Sequence, residues 1–251
     1  MQQQQIEGLK NLFGELFAKL IGFALEDELM DDLGASLEVF YNMEEGEEYE
    51  FNPSEEFLFL TWFILDDTTA DGESLMDEFL KRNSETLSLQ EKQVCEALKE
   101  TRLTLLQVLD VKPKKSLTLK DVFLGEEFEV LEAVGSEDAA KGNLLFTRVL
   151  QIGEIRFLVG AGIFLDALVL EPLTQFVTDQ YREECEEGQK ISFKQFLKEN
   201  GELINWWIRA FEKGEILGDD DDDDDDEDPD QGPEGSDKDP DKQPEEPSGT
   251  A

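Results

Sequence analysis

No histidine occurs in the 251 residues, and only two cysteines do, Cys95 and Cys185. The first absence removes Ser-His-Asp and Cys-His catalysis, His-ligated zinc and an imidazole pH switch. The second removes four-cysteine zinc sites and a disulfide framework. Cations are scarce as well: 22 Lys and Arg face 62 Asp and Glu, a formal charge of −40. That balance argues against direct binding of a nucleic-acid backbone or an anionic membrane and leaves basic partners open. Long apolar runs are missing too. The longest uncharged ones, 57–65 and 157–165, cover nine residues each, against the roughly 20 that a spanning helix needs. The chain starts Met1-Gln2-Gln3-Gln4-Gln5, without the basic n-region of a signal peptide. With isolated cysteines, the expected location is a reducing cytoplasm.

Composition breaks at Gly218. Residues 219–251 hold 17 acidic and two basic residues, five of the eight prolines, and no aromatic or large aliphatic side chain. Such a segment buries too little apolar surface to offset the entropy of ordering it, so a disordered acidic tail is expected. Its core is an unbroken run, Asp219, Asp220, Asp221, Asp222, Asp223, Asp224, Asp225 and Asp226. Self-repulsion extends such a run. Residues 1–218 keep a charge of −25, all 18 Phe and all three Trp, enough for a sizeable core.

Along that body the period of apolar residues changes twice. Ile6, Leu9, Phe13, Leu16, Leu20 and Phe23 recur at three- and four-residue spacing, which predicts a helix over 5–33. An acidic linker over 36–51 follows, with Glu44, Glu45, Glu47 and Glu48. Asn52-Pro53-Ser54 suits a helix start, and 57–65 is apolar all round, as in a buried helix. Further helices are expected near 74–82 and over 88–101, the latter opened by Ser88-Leu89-Gln90-Glu91, a capping-box pattern. From Leu103 the chain reads as five short strands, 103–111, 116–123, 127–134, 143–152 and 155–165, with turn residues between them. Helices return after Pro172, over 191–197 and 203–211.

The expected fold class is therefore α+β. Helices flank a small five-stranded antiparallel sheet or partly closed barrel, and a disordered acidic C-terminal tail follows. The boundaries are 1–50 for an N-terminal helical region and linker, 51–102 for a helical subdomain, 103–170 for a barrel-like subdomain, 171–218 for C-terminal helices and 219–251 for the tail.

Few constellations carry chemistry. Between two expected helices, Asp67, Thr69, Asp71, Glu73 and Glu78 stand at positions 1, 3, 5, 7 and 12 of an EF-hand-like calcium loop, with Gly72 at position 6. Thr69 is a weak neutral ligand, Ser74 replaces the usual apolar residue, and no second loop pairs with it. The competing reading is an acidic turn capping the helix that starts near Ser74. Gly160-Ala161-Gly162 lacks the third glycine and the βαβ setting of a dinucleotide loop, so close backbone approach is expected there. Cys95, between Val94 and Leu98, reads as core. Lys112, Lys114, Lys115 and Lys120 form the one basic cluster, without an evident row of stacking aromatics. Trp206 and Trp207 cannot both face the core of one helix, so one indole is expected to be partly exposed or to lie at an interface between subdomains, with contact to a partner as the alternative.

The segments 59–66 (Phe-Leu-Thr-Trp-Phe-Ile-Leu-Asp) and 71–75 (Asp-Gly-Glu-Ser-Leu), with 119–130 and 142–149, resemble a family of uncharacterised bacterial proteins. Many of those carry a C-terminal SEC-C zinc-binding motif. The resemblance spans about 50–215 and implies architecture. The cysteine cluster of the metal motif is absent, and the acidic tail stands in its place, so no zinc is implied.

The functional expectation is a non-enzymatic interaction or adaptor module whose acidic surface and tail engage a basic partner, with Asp219 to Asp226 and Trp206 as contact candidates. The alternatives are a calcium or divalent-cation binder using the 67–78 loop and an acidic nucleic-acid mimic that inhibits a DNA-binding protein. No cofactor other than calcium is suggested, and the oligomeric state is left open.

Overall fold

The N-terminal stripe forms one long helix, α1 (Gln2–Ala24), which stops nine residues short of the expected end at 33. The computed structural model describes residues 2–216 apart from 44–46, 48, 50–52, 69–71 and 189. Leu16, Leu20 and Ala24 of α1 are fully buried. The backbone turns extended at Glu26, passes a short 3-10 turn (Asp27–Leu29) and re-enters α2 (Met30–Tyr41). Packing explains the break. Phe40 and Tyr41 reach an aromatic cluster, with Phe40 5.2 Å from the Trp62 ring and 5.6 Å from the Phe59 ring. An unbroken helix would carry Phe40 roughly 24 Å past Ala24, away from that cluster. The start of the expected linker, 36–41, is thus helical; 44–46, 48, 50 and 51 lie outside the described residues.

Helix α3 (Pro53–Leu65) is the buried helix that its apolar run predicts. Leu58, Phe59, Trp62, Phe63, Ile64 and Leu65 are all buried. Helices α4 (Leu75–Arg82) and α5 (Leu89–Lys99) each open on a capping box, Ser74 with Asp77 and Ser88 with Glu91. Each cap satisfies backbone N–H groups that a helix start leaves unpaired, and is worth about 1 kcal/mol. Cys95 on α5 is buried, and that burial pushes its thiol up to about 11.

The sheet comprises β1 (Leu103–Lys112), β2 (Ser116–Asp121), β3 (Glu127–Val130), β4 (Leu144–Ile152), β5 (Ile155–Leu158) and β6 (Ile163–Leu165), with one turn of helix, α6 (Gly135–Asp138), before β4. All pairings are antiparallel, and the main order is β3-β2-β1-β4-β5. The sheet curls until its ends approach: Leu131 N–H donates to Arg156 O at 2.9 Å, and the Arg156 guanidinium lies 5.1 Å from the Phe128 ring centre. This is the partly closed barrel. Leu106, Val108, Leu117, Leu119, Val130 and Leu145 form one core cluster, while Leu103, Leu105, Leu144 and Phe146 pack into the larger core with the helices.

Three strand boundaries depart from expectation by two residues or more; β2 ends at Asp121 rather than 123. β3 ends at Val130 rather than 134, and Val134 is exposed. The single strand expected over 155–165 is two, both along β4. Val149 pairs with Leu158 while Phe146 pairs with Ile163, so two extra residues bulge on the β5–β6 side. The bulge contains Gly160 at φ +73, and a Cβ there would fall 1.6 Å from the Phe57 ring. Close backbone approach thus accounts for the two glycines.

After a short 3-10 turn (Ala167–Val169) come α7 (Leu170–Glu186), α8 (Phe193–Glu199) and α9 (Glu202–Glu212). Met1–Ile216 forms one compact unit, and the larger core draws on residues of 1–50, 51–102, 103–170 and 171–218 alike. Residues 219–251 lie outside the described residues. Among those described, no helix is long and apolar enough to cross a membrane.

Candidate functional site

Helix α3 ends in two consecutive aspartates that point to opposite sides. Their N–H groups both donate to Trp62 O, at 2.8 Å from Asp66 and 3.0 Å from Asp67; the first is an ordinary α-helical bond, and the second spans five residues and widens the end of the helix. Asp66 turns inward. Its carboxylate accepts both terminal nitrogens of Arg148 on β4 and the ammonium of Lys198 on α8. The Arg148 and Asp66 side chains are fully buried. Arg148 also donates to Thr101 Oγ1 at 3.0 Å, and Lys198 to Leu65 O at 3.1 Å and Thr101 O at 2.7 Å. Lys198 thereby places a cation on the carbonyl end of α3, where the helix dipole favours it. Burial lowers the Lys198 pKa and the Asp66 charge opposes that shift. Beside this cluster, Trp62 Nε1 donates to Glu202 Oε2 at 3.0 Å. Burial pushes the Glu202 carboxyl up to about 7.

Asp67 turns outward. It accepts the Ser36 hydroxyl of α2 on one oxygen and the Thr68 N–H at 2.9 Å on the other. It borders a cavity of about 250 Å³ between α2, the end of α3 and the start of α4. On α2 the wall is Asp32, Ala35, Ser36 and Val39, a spacing of three, four and seven that defines one helix face. Leu29, Phe63 and Leu75, all buried, supply the apolar lining. Burial raises the Asp67 pKa; the Ser36 and Thr68 hydrogen bonds lower it, and the charges of Asp32 and Asp66 add to the rise. Among the described residues, neither Asp32 nor Asp67 has a cationic partner within ion-pair distance.

The sequence-based calcium set is only partly visible. Thr69 and Asp71 lie outside the described residues. Glu73 bonds Lys81, Glu78 bonds Arg82, and Asp67 bonds Ser36. Among the described residues, no group of three or more His, Cys, Asp or Glu side chains gathers to hold a metal ion. The segment does have the competing form: Gly72 takes φ +77 and Ser74 caps α4. Of the partner-contact candidates, Asp219 to Asp226 lie outside the described residues. Trp206 donates its indole N–H to Val39 O at 2.8 Å, so α9 props the α2 wall of the cavity, while Trp207 is buried. The barrel lysines meet carboxylates of the same subdomain, Lys112 on Glu129 at 2.7 Å and Lys114 near Glu137 at 3.9 Å.

Sequence reasoning did not find Arg148, Lys198, Glu202 or Asp32. For Arg148 a signal existed: a charge inside the apolar strand 144–150 needs a buried partner. Its partner is 82 residues away, beyond what local pattern reveals.

The fold thus defines a class, an α+β protein in which helices pack against a curled antiparallel sheet, chiefly along β1 and β4. The family of unknown function DUF7986 matches residues 5–200, and the chain belongs to it. No curated protein and no solved structure matches the chain.

Proposed function

We propose that the protein is a non-enzymatic interaction module of the cytoplasm that engages a basic protein partner through its acidic surface, with the aspartates of 219–226 contributing. One observation carries this reading: four of the 22 cations are drawn into buried or largely buried ion pairs. Arg102 sits on Asp121, Arg148 and Lys198 on Asp66, and Arg209 on Glu55. Those pairs hold four cations and three carboxylates, so the excess of −25 over residues 1–218 stands at the surface, where it steers a cationic partner and fixes its approach. Kinship to SEC-C-bearing bacterial proteins belongs to the same proposal, with the acidic tail standing in place of the metal motif.

The test is affinity capture from the native host at low salt, using the full chain and a chain ending at Gly218. The expected result is a basic protein retained by both, more strongly by the full chain, and released by salt. Captured proteins without basic character, or retention indifferent to salt, would contradict the reading.

A further inference from the structure

The cavity beside Asp67 combines three features in one place. Its floor is apolar and buried, through Leu29, Phe63 and Leu75. Its wall carries two carboxylates, Asp32 and Asp67, near enough for the charge of Asp32 to act on Asp67. Its rim includes Val39, whose side chain is half exposed on the same α2 face. We infer that this cavity receives one lysine or arginine side chain of the basic partner, with the apolar stem on the floor and the cation on Asp32 and Asp67. The inference rests on the basic-partner reading above and locates its contact.

The chemistry matches a long cationic side chain, which buries its methylenes on apolar surface and keeps its charge at the edge. Asp67 is already held by Ser36 and Thr68, one hydrogen bond to each oxygen. A carboxylate oxygen accepts more than one hydrogen bond, so both oxygens keep acceptor capacity. Little ordering cost remains on this side of the contact. Trp206 and Asn205 further fix the wall, donating to Val39 O at 2.8 Å and Phe40 O at 3.0 Å. A cavity of about 250 Å³ lies below the usual size of a small-molecule site and suits a single side chain.

The experiment titrates n-butylguanidinium and n-butylammonium into the full chain, with n-butanol as the uncharged control. Methyl NMR shifts of Leu29, Val39 and Leu75 are followed. Saturable millimolar shifts with the cations are expected, weaker by about fivefold in Asp32→Asn, the loss of one half-exposed ion pair. Ala35→Trp, which fills the cavity from an exposed α2 position, should abolish them; circular dichroism and melting establish that each variant folds. Butanol shifts as strong as those of the cations, or shifts unchanged in Asp32→Asn, would overturn the inference. A lysine-rich peptide separates the two readings. Peptide binding that leaves the three methyls unmoved overturns the cavity inference and keeps the basic-partner reading. Cations in the cavity with no peptide binding at low salt leave a cation site and overturn the partner reading and, with it, the occupant.

Discussion

Arg148 on β4 and Asp66 at the end of α3 form an ion pair in which neither side chain touches solvent. It joins helix to sheet across 82 residues of sequence, with Lys198 and Thr101 closing the set. Two charges removed from water gain little net stability, but a single one left without its partner is very costly.

Asp66→Asn should therefore destabilise the protein by about 3–5 kcal/mol, because it strands a buried guanidinium. The double substitution Asp66→Leu with Arg148→Met should cost much less than the sum of the two single ones. Denaturant unfolding of Asp66→Asn, of Asp66→Leu and Arg148→Met singly, and of their double measures this. Additive losses would show that the pair does not act as a unit.

Glu202 gives the protein a pH dependence. Its pKa is raised from 4.5 to about 7 by burial, so the folded state takes up a proton that the unfolded state has released. Stability from this group is full below about pH 4.5, falls as pH rises toward about 7, and stays low above that. Glu202→Gln keeps an acceptor for Trp62 and removes the titration. It should match the parent in acid and exceed it by about 1–3 kcal/mol above neutrality. Melting curves across that range test it; parallel profiles would contradict it.

The fold was largely legible from pattern, and the particulars show why the rest was not. Ser88 and Glu91 announced α5, and the run 57–65 announced a buried helix, because caps and burial are local signals. The break after Ala24 was not legible, since it is set by where Phe40 and Tyr41 find rings on α3. The candidate site was only half visible. Asp67 stood out through loop spacing, yet the contacts that define its surroundings, Ser36 and Asp32 on α2, come from tertiary packing.

Gly160→Ala probes the bulge between β5 and β6. The added carbon meets the Phe57 ring, and φ is +73. Backbone strain and overpacking together should cost about 2–4 kcal/mol. An unaltered melting temperature would show that the bulge yields freely. Gly72→Ala, with open space around it at φ +77, carries the backbone cost alone and should lose about 1–2 kcal/mol.

Calcium should give no saturable heat with the full chain at millimolar concentration. Glu73 and Glu78 are held by Lys81 and Arg82, and Asp67 by Ser36. Moving them costs ion pairs and leaves the ligand set without a preformed cage. A saturable heat lost in Glu78→Gln would establish the 67–78 loop as a metal site.

The most direct test of the account is calorimetric titration of a defined lysine-rich peptide into the full chain at about 0.05 M and about 0.2 M salt, which span a large change in screening length. Binding at the lower salt that weakens by about tenfold at the higher is the predicted result. Absence of binding at low salt, or an affinity that salt leaves unchanged, would contradict it.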